Sequence, residues 1–345
     1  MNLLNSLLRR TRSMSQSKNG LTELIDQSTP VPLSHHAAIA RWHTDTRKPV
    51  HVVLLHGLYN SGDVLWNSFI KAVNDLPTIG KTPNLPIQLY ALDLRDHGRS
   101  PHSDGAVSAS TACADVAAFL KGPLFDGEKV FVVGHGFGGY VASVLGLAYP
   151  SLVAGVASLN ASILKTHPLV HPGTLLSVGS PQNSNRNRSQ LADQKVSAEN
   201  AITFLKEIRT VSEMESRLES FFPDKLERES FMRSTLRQRN SDNGWYWACN
   251  VSDIGNFDIQ RKRDAIDDML LSGCVKNESM PYLRIHDTTG EFDSADSIRS
   301  LFPQGKTLQW DNFGGQNAET AMVLRRSPEL SSCVLQHFGL LENVA

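Results

Sequence analysis

Apolar positions along this chain follow two alternating rhythms up to about residue 160. Val50–Leu55, Ile87–Leu94, Val130–Val133 and Val153–Leu159 are short aliphatic and β-branched runs, the pattern of strands buried on both faces. Helical patterns lie between them. Asp63–Leu76 places Trp66, Phe69 and Val73 together, Ser108–Leu120 has Ser108 positioned as an N-cap, and small residues repeat from Tyr140 to Leu145. Strand and helix in turn predict an α/β fold, with a mostly parallel central sheet and helices on both faces.

The rhythm breaks after about residue 165. Ser177–Lys195 is rich in Ser, Asn, Gln and Arg and reads as a long polar insertion. Charged helical patterns follow over Ala198–Arg209, Ser212–Phe222, Pro223–Gln238 and Asp258–Leu271, with Pro223 standing where a helix would begin. Strands return at Met280–His286 and Thr307–Trp310, then helices at about 317–326 and 328–339. The layout predicts a core made of residues 21–165 and 276–345, with 166–275 inserted as a polar segment and helical lid.

The first twenty residues differ from the rest. They carry Arg9, Arg10, Arg12 and Lys18, several serines and no acid, with Leu3, Leu4, Leu7 and Leu8 on one helical face. Such a start predicts a mitochondrial transit peptide or N-terminal extension over residues 1–20, and so a location in the matrix or on the matrix face of the inner membrane. A solvated N-terminal helix or a disordered tail is the plainer alternative.

Composition narrows the function classes. The chain has 345 residues, 40% hydrophobic and 20% charged, with a net charge of −1. Without its first twenty residues the net charge is −5. A body of that charge has no electrostatic footprint for nucleic acid, so no direct nucleic-acid partner is expected. No run of about 18 apolar residues could span a bilayer, which leaves peripheral membrane association through partners. The four cysteines (Cys113, Cys249, Cys274, Cys333) are scattered without metal-ligand spacing, and neither a metal nor a cofactor is expected.

The chemistry centres on Gly134-His135-Gly136-Phe137-Gly138-Gly139, set between the 130–133 strand and the following helical pattern. In that strand–turn–helix context G-x-S-x-G forms a nucleophile elbow. Here Gly136 holds the central position and has no side chain with which to attack.

His56-Gly57-Leu58-Tyr59-Asn60-Ser61-Gly62-Asp63 and Leu92-Asp93-Leu94-Arg95-Asp96-His97-Gly98-Arg99-Ser100-Pro101-His102-Ser103 resemble segments of the α/β-hydrolase superfamily. So do Asn243-Gly244-Trp245-Tyr246-Trp247-Ala248-Cys249-Asn250, like that group's G-x-W-x-x-N lid element, and Leu301-Phe302-Pro303-Gln304. More narrowly, the resemblance is to mitochondrial abhydrolase-domain serine hydrolases and small bacterial esterases, over about residues 36–340. It implies an α/β-hydrolase fold and a nucleophile at Gly136. It also implies an acid at Asn160 and a base at Gly314, within Asn312-Phe313-Gly314-Gly315-Gln316-Asn317-Ala318-Glu319. No histidine occurs between His286 and His337, so shifting the frame does not supply the base.

A serine hydrolase needs a hydroxyl, an imidazole to take its proton and an acid to orient that imidazole. All three positions of the degenerate triad (Gly136, Asn160, Gly314) are replaced. The implied oxyanion donors are the backbone N–H groups of Leu58 and Phe137, which survive any side-chain change. His56, His135, Ser162, His286 and Phe313 are the candidate pocket lining. Ser143 reads as a helix-packing residue, and His97 and His102 as parts of a structured turn. His286-Asp287 is the best alternative acid–base pair, although neighbours on a strand face opposite ways.

Three readings follow. The first is a catalytically inactive pseudoenzyme kept as a structural or accessory subunit of a mitochondrial assembly such as a respiratory-chain complex, with other protein subunits as partners. The second is a small-molecule or acyl-ligand binding protein using the old pocket. The third is a residual esterase or thioesterase with rearranged residues.

Overall fold

The structure, a computed structural model, describes residues 20–40, 46–102, 107–164, 204–205, 208–219, 222–254, 265–288, 292–311 and 320–342. In chain order the elements begin with α1 (Gly20–Asp26), β1 (His35–Ala40), β2 (Val50–Leu55), α2 (Gly62–Asp75) and β3 (Ile87–Leu92). They continue with α3 (Ala109–Leu120), β4 (Val130–His135), α4 (Phe137–Ala148), β5 (Val153–Leu159), α5 (Val211–Glu219) and α6 (Lys225–Thr235). After these come β6 (Leu236–Gln238), β7 (Trp245–Trp247), α7 (Ala265–Leu271), β8 (Tyr282–His286), α8 (Ala295–Leu301) and β9 (Lys306–Gln309), then α9 (Ala321–Arg325) and α10 (Ser327–His337).

Among the described residues one seven-stranded sheet runs β1-β3-β2-β4-β5-β8-β9, parallel except for β1, which pairs antiparallel with β3. Alternation along each strand feeds two cores. Val53 and Leu55 of β2 and Val130 and Val132 of β4 join the core under α1, α3 and α4, while Val52, Leu54 and Val133 join the core under α2, α9 and α10. In α2 the residues Leu65, Trp66, Phe69, Ile70 and Val73 form one buried face. Each such side chain contributes about 1.5–3 kcal/mol through burial.

α4 is buried along its whole length, which explains its small residues. α3 opens with a reciprocal cap, Ser108 Oγ accepting from Thr111 N–H at 3.1 Å while Thr111 Oγ1 accepts from Ser108 N–H at 3.1 Å. The N-cap expected at Ser108 is there.

Several expectations need correction. Residues 236–238 end no helix. The chain turns extended at Leu236 and pairs β6 with β7, Leu236 opposite Trp247. The turn residues Asp242-Asn243-Gly244, with Asn243 at φ 54° and Arg239 N–H donating to Gly244 O at 2.8 Å, make this a hairpin. The helix starts past Pro223, because Asp224 caps it, accepting from Glu227 N–H at 3.1 Å. β3 stops at Leu92, since Asp93 begins a loop held by side-chain bonds. Residues 208, 209 and 222 are not helical, and α5 is described over Val211–Glu219. α1, β1, β6, β7 and α8 have no counterpart in the apolar pattern. Residues 1–19, the 177–195 insertion, 258–264 and the 312–319 segment with Phe313 and Gly314 lie outside the described residues.

Candidate active site

The elbow keeps its backbone. Gly136 stands between β4 and α4 at φ 54°, ψ −120°, and its carbonyl accepts from Gly139 N–H at 3.0 Å and Tyr140 N–H at 3.1 Å to start the helix. A positive φ of this kind is strained for any residue with a side chain.

The neighbouring glycines are required for a different reason. A Cβ on Gly134 would stand 2.1 Å from Gly138 O, and one on Gly138 would stand 2.5 Å from both His56 O and Leu55 O. A Cβ on Gly136 would meet only Gly57 Cα, at an ordinary 3.6 Å. Close packing of β4, α4 and the loop after β2 therefore fixes Gly134 and Gly138, whereas the centre of the turn has room for a side chain and lacks one.

Phe137 is the first residue of α4, where backbone N–H groups point out of the helix toward the turn. Leu58 follows Gly57 on the loop after β2, and Gly57 Cα is the atom that a Cβ on Gly136 would meet. His135 is 2% exposed, with Nδ1 next to Gly57.

The strand ends form a row. Gly136 N–H donates to Leu159 O at 2.9 Å and Asn160 N–H to Ile285 O at 2.9 Å, placing Gly136, Asn160 and Asp287 at the ends of neighbouring strands. Asn160 is 7% exposed and held at φ 46°. Its Nδ2 donates to Asp287 Oδ2 at 3.1 Å, and its Oδ1 accepts from Asp287 N–H at 2.9 Å. The end of β5 thus holds an amide matched to a buried carboxylate just past the end of β8.

His286 does not join Asp287 as an acid–base pair. Its Nδ1 lies 2.9 Å from Asp287's backbone carbonyl, and its ring packs 5.0 Å from Phe292, while the Asp287 carboxylate turns to Asn160. Burial lowers the His286 pKa, more than the Asp287 carbonyl raises it.

His56 is a structural side chain rather than pocket lining. Its Nε2 accepts from Leu94 N–H at 3.0 Å, so Nδ1 carries the proton and donates to Gly57 O at 2.6 Å. His97 repeats the pattern, accepting from Tyr59 N–H at 3.2 Å and donating to Arg95 O at 2.8 Å. The two rings are 4.9 Å apart. Burial drives both pKa values down, to about 4 for His56 and about 3 for His97.

Asp93 clasps the loop around them, accepting from Gly62 N–H at 2.8 Å and Arg99 N–H at 2.9 Å. The 243–250 element docks on the same loop, Asn250 N–H donating to Asp96 O at 2.9 Å. The 92–103 motif is therefore a structural clasp; His102 is exposed at its far end.

Ser143 caps no pocket: Oγ donates to Gly139 O at 2.7 Å and lies 3.2 Å from Tyr282 Oη, as expected of a packing residue. Ser162 is 4% exposed, with its Oγ unpartnered. No group of three or more His, Cys, Asp or Glu among the described residues could hold a metal ion, and no described helix is long and apolar enough to cross a membrane.

Sequence reasoning missed the Asn160–Asp287 lock, because only the strand order brings those two positions together. It also missed Arg284, whose signal was a lone charge inside the apolar run Tyr282–Ile285.

A parallel sheet with one antiparallel edge, a strand–turn–helix elbow and an inserted helical segment define an α/β-hydrolase fold. The chain belongs to the α/β-hydrolase fold family, which it matches over residues 50–314. It is 31% identical over 147 residues to the sn-1-specific diacylglycerol lipase ABHD11 of Mus musculus, covering 43% of this chain and 42% of that one. It is 32% identical over 120 residues to Lipase LipV of Mycobacterium tuberculosis, covering 33% of this chain and 38% of the lipase. Each match thus spans less than half of the relative's length. Among solved structures, a marine microorganism esterase aligns with a TM-score of 0.59 at 20% identity, over 89% of this chain and 99% of the esterase. E-2-(acetamidomethylene)succinate hydrolase aligns at 0.58 and 13% identity, over 89% and 96%. At such identities the structural likeness speaks for the fold.

Proposed function

We propose that this chain is a non-catalytic member of the α/β-hydrolase family, serving as a structural or accessory subunit of a mitochondrial protein assembly, a respiratory-chain complex being the first candidate. One observation carries the reading. The elbow has its strained backbone, its close-packed glycines and open space for a Cβ, yet Gly136 presents no nucleophile. Two further features support it: Asn160 is engaged with Asp287, and the base position is Gly314. An amide cannot supply the negative charge that stabilises an imidazolium.

The Arg-rich, acid-free start supports the mitochondrial location. Sedimentation of native mitochondrial extract tests the role. The chain should migrate in a high-mass assembly and co-purify with fixed partners, and migration as a free monomer would overturn the accessory role. The open space for a Cβ at Gly136, beside the loop that carries Leu58, supports ligand binding as the second reading.

A further inference from the structure

Part of the segment expected as a lid is fastened to the body of the fold at three places. At its start Asp224, which caps α6, forms an ion pair with Arg325 of α9. Near the end of α6 the Ser234 hydroxyl donates to Asn60 Oδ1 at 2.9 Å and lies 3.5 Å from Ser61 Oγ, on the loop after β2. Ser234, Asn60 and Ser61 are all buried. Past the hairpin, Asn250 donates to Asp96 of the loop after β3, from its backbone N–H to O at 2.9 Å and from Nδ2 to Oδ1 at 3.4 Å.

Between these joints the contacts are apolar. Phe222, Phe231, Met232, Leu236 and Cys249 belong to one continuous core with Leu55, Tyr59 and Phe137. The Phe231 ring lies 4.7 Å from that of Phe222 and 6.3 Å from those of Trp247 and Tyr59. The hairpin is tied back to α6 by Ala248 N–H, which donates to Thr235 O at 2.8 Å. An element that swings open has few buried apolar contacts and costs little to detach. Here one motion would uncover these core side chains and break all three joints, a loss on the scale of the whole fold's stability.

The joints also fall where the backbone is strained. Tyr59 and Asp96 are held at φ 57° and φ 66°, conformations that persist only where surrounding contacts enforce them. Asn60 follows Tyr59 directly, and Asp96 is itself the partner of Asn250. His97, next to Asp96, accepts from Tyr59 N–H at 3.2 Å and links the two loops.

We propose that residues 222–250 are a fixed brace rather than a moving lid, holding the loops after β2 and β3 in their strained form. The brace goes beyond the accessory role and does not depend on it.

Native-state hydrogen exchange of the full chain, read by mass spectrometry over a series of low urea concentrations, tests the proposal. After correction for intrinsic rates, peptides from α6 and from residues 245–250 should exchange within about tenfold of those from α4. Their rates should also rise with urea as steeply as those of α4, because both open only in the same large unfolding. Ser234→Ala should raise exchange severalfold in peptides covering residues 57–62, and Asn250→Ala in those covering 92–97, each by more than in α4. If either variant fails to fold, the wild-type comparison decides. Exchange in α6 beyond the tenfold margin and insensitive to urea is the behaviour of a lid and would overturn the brace. So would loop peptides that the folded variants leave unchanged relative to α4.

Discussion

Asn160 and Asp287 bind each other from the ends of neighbouring strands, the amide donating to the carboxylate at 3.1 Å and accepting from the Asp287 backbone N–H at 2.9 Å. Only an amide can do both at once, since a carboxylate has no proton to give at neutral pH. Asn160, where the resemblance implies an acid, is therefore the complement of a buried aspartate.

Asn160→Asp should for that reason destabilise the fold rather than move it toward activity. It sets two carboxylates against each other and loses the donated bond, at a cost of about 1–3 kcal/mol at pH 7. Repulsion raises the folded-state pKa of the pair, so the penalty should shrink as pH falls toward the unfolded carboxylate value of about 4. Urea melts of both chains at neutral and acid pH measure it. A penalty that grows on acidification would contradict the pairing.

The elbow glycines should separate by mechanism. Gly136→Ser has room for its Cβ and bears only the strain of φ 54°, about 1–3 kcal/mol, and should fold. With Asn160 and Gly314 unchanged it should hydrolyse p-nitrophenyl acetate no faster than buffer allows. Gly138→Ala would press its Cβ to 2.5 Å from the carbonyls of Leu55 and His56, and should fail to give folded protein. Robust turnover by Gly136→Ser would show that the other two positions are misassigned.

Acid should unfold the wild type through its buried histidines. His56 and His97 are held neutral, with pKa values near 4 and 3 against 6.5 when unfolded, so the unfolded chain binds more protons below pH 6.5. Their contribution is complete above 6.5 and is lost as pH falls, at up to about 1.4 kcal/mol per pH unit for each. The pH dependence of the unfolding free energy between 6.5 and 4 measures the slope.

Glu227 of α6 sets the opposite limb. It is 6% exposed beside Thr320 and Ala321 at the start of α9, and burial pushes its carboxyl up to about 7. A carboxyl with a raised folded pKa stabilises below its unfolded value and loses that contribution as pH rises through 7. Glu227→Gln should remove this loss, gaining up to about 3 kcal/mol over the wild type at pH 8 and little at pH 5. Equal gains at both values would assign the effect to packing.

Much of the core was legible because β2, β4 and β5 are continuous apolar runs and α2 carries a regular buried face. The elbow was legible through its glycines, and each close approach now has a distance. β1 escaped notice because His35 to Ala40 is a short, weakly apolar edge strand. The β6–β7 hairpin escaped because Arg237 and Gln238 continue the charged composition of α6, while the turn signal lies a few residues later. The Asn160–Asp287 lock joins residues 127 apart, and no local pattern encodes that contact.

Labelling of the purified wild-type chain with a fluorophosphonate probe, read by intact mass, tests the central claim most directly. A chain whose elbow carries Gly136 should show no covalent adduct and no ester turnover above buffer, while an active serine hydrolase labelled in parallel reacts to completion. A stoichiometric adduct on any residue of the wild-type chain, accompanied by turnover, would contradict the non-catalytic reading.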